Sequence, residues 1–287
     1  MGKTLLGISG SPRKHGNCEL FIKDIFKLMG QGWELRMVRL PELDIKPCKA
    51  CYQCLFDQKC PQEDDFLPVL DALARADAYV VAAPVYFLSA NSSMKEFLDR
   101  GLQLYSLVDR LWGKPGVAVA IAGIEGKEGS GKRDVESFVK LTLGDLRGSA
   151  VVYGALPGEA LLSDANRRIA EGLARALVDP SLRLAPRGPV CPLCGGDTFR
   201  LSSGGGAMCM LCSGSGSWQL ENGDLAFHIE PGDHPLFLDK DAVNAHADWL
   251  RGMKGRFLAR RSELKEVVKP YLGMGTYIES KKGKERG

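Results

Sequence analysis

A doubly wound α/β fold on a five-stranded parallel sheet is predicted by three features of the first 180 residues. Strand-like and helix-like segments alternate, two of the strand-like runs are apolar throughout, and several strands end in glycine, serine or proline. The first strand is KTLLGIS (3–9), and a helical pattern from Cys18 to about Met29 carries Leu20, Phe21, Ile25, Phe26 and Leu28 on its apolar face. WELRMVRL (33–40) alternates as a strand at a sheet edge does. After a cysteine loop at 47–61, Asp64 or Asp65 starts the next helix, DDFLPVLDALARA. AYVVAAPVYF (78–87) and PGVAVAIAG (115–123) suit strands buried on both faces. Helices are expected from Ser92 to Leu107, from about Val135 to Leu146 and from about Ser163 to Leu177, with a fifth strand at SAVVYGAL (149–156). Right-handed crossovers put all C-terminal strand ends on one edge, which gathers segments 9–17, 41–63, 84–91 and 123–132.

Such a chain fits the strand order 2-1-3-4-5. The proline-rich DPSLRLAPRGP (179–189) then reads as a linker to a second part. That part, about 188–275, holds two cysteine pairs, two strand-like runs around Asn222-Gly223-Asp224, and a terminal helix with an apolar stripe of Val243, Trp249, Leu250, Met253, Phe257 and Leu258. Residues 276–287 read as a flexible basic tail.

The 287 residues contain nine cysteines, eight of them in two sets of four. Cys48, Cys51, Cys54 and Cys60 form a C-x2-C-x2-C-x5-C run; Cys191, Cys194, Cys209 and Cys212 form two C-x2-C pairs separated by 14 residues. Compact single-loop clustering favours an iron–sulfur cluster, whereas paired knuckles favour one tetrahedral ion, either structural zinc or rubredoxin-like iron. Disulfides are the competing use. A short apolar start with no cleavage site and no long apolar run point to a cytoplasmic chain, in which cysteine clusters serve metals more often. The net charge of +3 gives little reason to expect nucleic acid, and no membrane partner is expected.

The loop SGSPRKHGNCE follows the first strand and opens the first helix. Ser9, Ser11 and Asn17 supply neutral donors and Arg13 a charged one, so the loop suits a single phosphate group; an ordinary capped strand–helix turn is the other reading. It is neither a dinucleotide fingerprint nor a P-loop. Cys18, the ninth cysteine, either faces the phosphate or packs as a small buried residue. Tyr86 and Phe87 end a central strand, a position on the ligand rim.

With G-S-P-R-K-x-G-N, the cysteine run and AAPVYFLSANSSMKEFLDR in this order, the chain resembles the NADPH-dependent FMN reductase group of flavodoxin-like proteins, and within it the iron–sulfur flavoproteins of anaerobic bacteria and archaea. The resemblance covers about 1–175 and implies a flavodoxin-like FMN-binding domain at 1–178. Ser9, Ser11, Arg13, Asn17 and Cys18 would surround the FMN phosphate. Pro84, Val85, Tyr86 and Phe87 would lie along the flavin, with the Gly123 loop on its other side, and Cys48, Cys51, Cys54 and Cys60 would hold a 4Fe–4S cluster. The activity implied is flavin-dependent electron transfer, with NAD(P)H as a transient donor or a ferredoxin-type partner. A homo-oligomer is implied too, in which one subunit's cluster approaches another's flavin. The alternative is an NAD(P)H-dependent FMN or quinone reductase whose cysteine loop is empty or holds zinc. The segment AGIEGKEGSGKRD departs from the glycine-rich third loop of close relatives, which leaves flavin contacts from 123–131 less defined, and the C-terminal third exceeds the shortest relatives.

Overall fold

The computed structural model describes residues 2–186, 188–276 and 278. Six strands form the first sheet, five of them parallel: β1 (Lys3–Ser9), β2 (Trp33–Arg39), β3 (Ala78–Tyr86), a two-residue antiparallel β4 (Ser89–Ala90) hanging off β3, β5 (Pro115–Ala122) and β6 (Asp145–Tyr153). The order β2-β1-β3-β5-β6 is the expected 2-1-3-4-5 once β4 is set aside. Helices α1 (Asn17–Leu28), α2 (Gln53–Asp57), α3 (Phe66–Arg75), α4 (Ser92–Asp99), α5 (Val108–Leu111), α6 (Gly131–Leu141) and α7 (Asp164–Val178) fill the connections.

Alternate residues of each central strand enter opposite layers. Leu5 joins Phe21, Ile22 and Leu173 under α1 and α7, whereas Leu6 and Ile8 join Phe66, Phe97 and Phe138 under α3, α4 and α6. The three phenylalanines form a ladder with centroids 5.0 and 5.4 Å apart. Such a two-sided core fixes the sheet, and so fixes where the strand ends deliver their loops.

Two helices differ from expectation. The helix expected over 92–107 stops at Asp99 and continues as a 3-10 turn, Gly101–Leu107, because Arg100 turns inward to the cysteine loop. The helix expected from Val135 begins at Gly131 and ends at Leu141, Leu143 taking a left-handed φ of 66° before β6 starts at Asp145.

The second sheet has the order β10-β9-β8-β7, from β7 (Phe199–Ser202), β8 (Gly206–Cys209), β9 (Ser215–Glu221) and β10 (Asp224–Glu230). Asn222 and Gly223 take φ of 55° and 91° in the turn joining β9 and β10, as a tight hairpin requires. Phe199 stacks on Phe227 at 3.6 Å. The segment before this sheet is anchored: Leu184 N–H donates to Arg147 O at 2.8 Å, and Arg147 Nη1 donates to Pro180 O at 2.7 Å.

Among the described residues one compact unit ends at Ala247 and a second begins at Asp248. Helix α8 (Lys240–Ala259) is followed by α9 (Arg261–Val268) and a 3-10 turn containing Pro270. Of the expected apolar stripe, Val243 is buried while Trp249, Phe257 and Leu258 are exposed. His246, expected at the surface, is half-buried, with its ring 5.8 Å from Tyr105 and Nδ1 2.6 Å from His234 Nε2. No described helix is long and apolar enough to cross a membrane. The expected basic tail lies, from 279 onward, outside the described residues.

Candidate functional site

At the C-terminal edge of the first sheet lies an open cleft of about 230 Å³. Ser11, Arg13, Asn17 and Cys18 line it from the β1–α1 loop, and Pro84, Val85 and Tyr86 from the end of β3. Gly123 closes it from the end of β5. Ser9 lies behind this lining, buried, with Oγ accepting from Ser11 N–H at 3.2 Å. Phe87 is fully exposed beyond the strand end at a φ of 49°.

The loop is shaped by its own polar groups. Ser11 Oγ accepts from Arg13 N–H at 3.2 Å, and Arg13 Nη1 donates to Ala155 O at 3.5 Å, which holds the guanidinium at the cleft. The Asn17 amide donates to Gly154 O at 2.8 Å and accepts from Gly158 N–H at 2.8 Å. Asn17 therefore ties the β1–α1 loop to the end of β6, and only part of its donor capacity faces the cleft. Burial pushes the Cys18 thiol up to about 12, so it stays neutral beside any anion. The first N–H groups of α1 have no intrahelical acceptors, and Asn17 and Cys18, which open the helix, line this end of the cleft.

On the opposite rim, Phe87 and Leu88 are consecutive left-handed residues, φ 49° and 65°. Such backbone survives only where its surroundings hold it. Here Asp134 Oδ2 accepts from Ser89 Oγ (2.6 Å), Ala90 N–H (3.0 Å) and Ser130 Oγ (2.9 Å), while Ser130 N–H donates to Leu88 O at 2.7 Å. The loop 86–90 and the start of α6 thus form one braced wall. The charged third loop contributes through this brace as well as through Gly123.

The cysteine loop leaves the same edge after β2. Ala50, Tyr52 and Gln58 take left-handed φ of 50°, 59° and 57°, coiling the chain between its cysteines. Its stems are clamped by buried polar groups. Gln62 Nε2 donates to Pro47 O at 3.1 Å, Gln103 Nε2 to Gln58 O at 2.8 Å, and Arg100 Nη1 to Lys46 O at 2.8 Å. Ala50 N–H points at Cys48 Sγ, 3.4 Å away. Burial, then the neighbouring Cys60, Cys51 and Cys48, push Cys54 up to about 11. Cys54 is thus near enough to Cys60, Cys51 and Cys48 for each to act on it. Four thiols on one short coiled loop are the donor set a 4Fe–4S cluster takes, and these residues fit that group.

In the second sheet, Cys191, Cys194, Cys209 and Cys212 have all their sulfurs within 4.8 Å of one another. Cys191–Cys212 and Cys194–Cys209 are 3.7 and 3.6 Å apart, against an edge of ~3.8 Å for a tetrahedron with metal–sulfur bonds of about 2.3 Å. Gly195 and Ser213, at φ 77° and 62°, make the knuckle turns, and Gly196 N–H points at Cys194 Sγ from 3.4 Å. The residues fit one tetrahedral ion, zinc or iron alike.

Several residues escaped the sequence reading. Ile121, Gly154 and Ala155 line the cleft from the ends of β5 and β6. A Cβ on Gly154 would stand 2.8 Å from Ala160 N and 3.1 Å from Asn17 Nδ2, so the close approach requires glycine. The available signal was the rule that strand ends build the ligand rim. Arg100 carried no comparable signal.

A cleft lined by a hydroxyl, a guanidinium and an apolar wall on a doubly wound sheet, with two four-cysteine sets on the same chain, suits a flavin-dependent oxidoreductase with metal sites. Residues 4–139 match the family model for NADPH-dependent FMN reductase. An iron–sulfur flavoprotein of Archaeoglobus fulgidus is 33% identical over 159 residues, covering 54% of this chain and 70% of that protein. Another, from Methanosarcina thermophila, is 32% identical over 135 residues, covering 47% and 70%. The chain belongs to the iron–sulfur flavoprotein family. A solved flavone reductase shares the fold at a TM-score of 0.69 and 19% identity, covering 96% of this chain and 100% of its own.

Proposed function

We propose that this chain exchanges electrons between a two-electron donor and one-electron carriers, with FMN in the cleft and a 4Fe–4S cluster on Cys48, Cys51, Cys54 and Cys60. The observation that carries this reading is one short loop on the edge that carries the cleft, in which Cys60, Cys51 and Cys48 all act on Cys54, on the same chain as a separate set closed to the size of a single ion.

Bound FMN supplies a two-electron acceptor that can release electrons singly, and a cluster supplies a one-electron port. The chain's own residues prepare the ground. Arg13 and the α1 N-terminus offer positive potential to a phosphate, Ser11 offers a hydroxyl, and the neutral Cys18 thiol avoids charge repulsion. Pro84, Val85 and Tyr86 offer an apolar wall of fixed shape, and Gly123 leaves room opposite. Ser9 holds Ser11 in place, and Phe87 stands at the mouth, open to a donor or a second subunit.

The FMN-binding part is read as 1–178 and the metal ribbon with its helix as 188–275. The knuckles are read as a structural zinc site, since this role needs no redox partner. Eight cysteines held as metal ligands rather than paired in disulfides suit a reducing cytoplasm. A homo-oligomer and a ferredoxin-type partner are consistent with the exposed Tyr86, Phe87 and Leu88 beside the cleft.

The test is an anaerobic absorption spectrum with iron, sulfide, zinc and FMN counted per chain. Four irons and four sulfides with one FMN and one zinc are expected. FMN and zinc without acid-labile sulfide, after anaerobic reconstitution, would leave an NAD(P)H-dependent flavin reductase with no cluster.

A further inference from the structure

We infer that Arg100 is a positioning residue that tunes the reduction potential at the first cysteine set through a hydrogen bond to Cys60. Its side chain is almost fully buried, as is that of Asp64, its partner. One guanidinium edge donates from Nη1 to Asp64 Oδ2 at 2.5 Å and to Lys46 O at 2.8 Å. Nη2 donates to Cys60 Sγ at 3.1 Å and reaches Asp64 Oδ1 at 3.4 Å. The plane is held from below by Phe66, whose ring centroid lies 4.6 Å from Cζ. Asp64 is itself fixed by Lys46 N–H at 3.0 Å and Phe66 N–H at 3.1 Å.

A purely structural clamp would not need a cation. Gln62 and Gln103 close the same loop with neutral amides, each to a backbone carbonyl. Arg100 alone among these clamps reaches a sulfur, and its carboxylate partner keeps a full charge tolerable at this depth. The chain also breaks a helix to place it, since α4 ends at Asp99 and the following turn is 3-10. Hydrogen bonds and positive charge at cluster sulfurs stabilise the reduced, more negative state and raise the potential. Cys60 receives such a bond from a guanidinium, and Cys48 receives only the weaker backbone N–H of Ala50. The four ligands are therefore electrostatically unequal, with Cys60 the best stabilised against added negative charge.

The inference rests on the reading of Cys48, Cys51, Cys54 and Cys60 as cluster ligands. Two variants test it. Arg100→Lys keeps the charge beside Asp64 but lacks the fork that spans Asp64 and Cys60 together. The double variant Asp64→Asn/Arg100→Gln removes both charges, so no unpaired carboxylate is left buried. The wild type and both variants are purified anaerobically, counted for iron, sulfide and FMN, and titrated with the cluster followed by EPR. With iron and sulfide retained, each variant should favour the oxidised cluster at least tenfold more than wild type, a fall of about 59 mV for one electron. An oxidised-to-reduced equilibrium within twofold of wild type in both would overturn the inference. So would loss of the cluster from both variants with FMN retained, which would make the pair merely structural. A wild type without iron and sulfide would instead end the cluster reading before any variant is compared, and this inference with it.

Discussion

At the scale of single residues, the phosphate loop depends on a carboxylate that never meets the ligand cleft. Glu19 is buried in the first turn of α1, where burial alone would raise its pKa. Lys23 Nζ at 2.5 Å, His15 N–H at 2.9 Å and Arg39 Nη2 at 2.6 Å more than reverse that effect and hold it at about 2. The folded value lies below the ordinary ~4.3 of an unfolded glutamate. The stabilisation is therefore complete above that value and is lost as pH falls through about 2. Allowing for solvent screening at the partly exposed Lys23, it amounts to about 2 kcal/mol. Glu19→Gln should lower stability at pH 7 by about that amount and flatten the acid limb of urea-unfolding midpoints measured from pH 6 to 2. A variant with an unchanged acid limb would show that Glu19 contributes no linked stability.

At the scale of elements, the braced wall of the cleft makes a separate demand. Asp134 holds Ser89, Ala90 and Ser130 with one oxygen, so Asp134→Ala leaves the Ala90 N–H and two hydroxyls without that acceptor. A cost of about 1–3 kcal/mol is expected, with FMN affinity falling about tenfold or more as loop 86–90 loosens. Flavin fluorescence titration and thermal melts read the two effects separately; loss of stability with FMN affinity intact would detach the brace from the site. The elements themselves were largely legible. β3 and β5 are buried on both faces and read as unbroken apolar runs, and β1 ends in the glycine and serines that its loop needs. Candidate site residues could be read locally, Arg13 from the loop that opens α1 and Tyr86 from its place at the end of β3, while Pro84 came only with the family resemblance. Gly154 stands at a strand end that the same rule marks, but its need for glycine, like the bracing role of Asp134, depends on partners 137 and 45 positions away. Arg100 was hidden for a different reason: the helical pattern runs on past it, and only the three-dimensional demand of the cysteine loop pulls it out of register.

At the scale of the whole chain, the question is whether the ribbon stands alone or is part of the flavin-binding body. Cys191, Cys209, Ile229 and Phe237 belong to the same hydrophobic cluster as Phe138 and Leu143. Lys132, at the start of α6, reaches Glu136 at 2.6 Å and Asp197, beside the first knuckle, at 2.7 Å. Burial would lower the Lys132 pKa, but its two carboxylate partners raise it, so the ammonium stays charged and the tie persists through neutral pH. A metal held by the four knuckle thiolates stabilises the fold to which those thiolates are joined. Because the ribbon shares a core with the first sheet, that stabilisation should reach the whole body up to Ala247. Cys209→Ser is therefore expected to lose the ribbon metal while retaining FMN, and to lower one shared cooperative transition. A loss of about 2–3 kcal/mol would move the midpoint by roughly 5–10 °C, at 2–4 °C per kcal/mol for a body of this size. Calorimetry with FMN absorbance followed in parallel distinguishes this from the alternative. An autonomous ribbon would give a separate, earlier transition, with the flavin-linked midpoint unchanged. A single shifted transition would mean that the knuckles brace the α6 end of the cleft through Lys132 and the shared core, so that the ribbon metal governs stability at the flavin site.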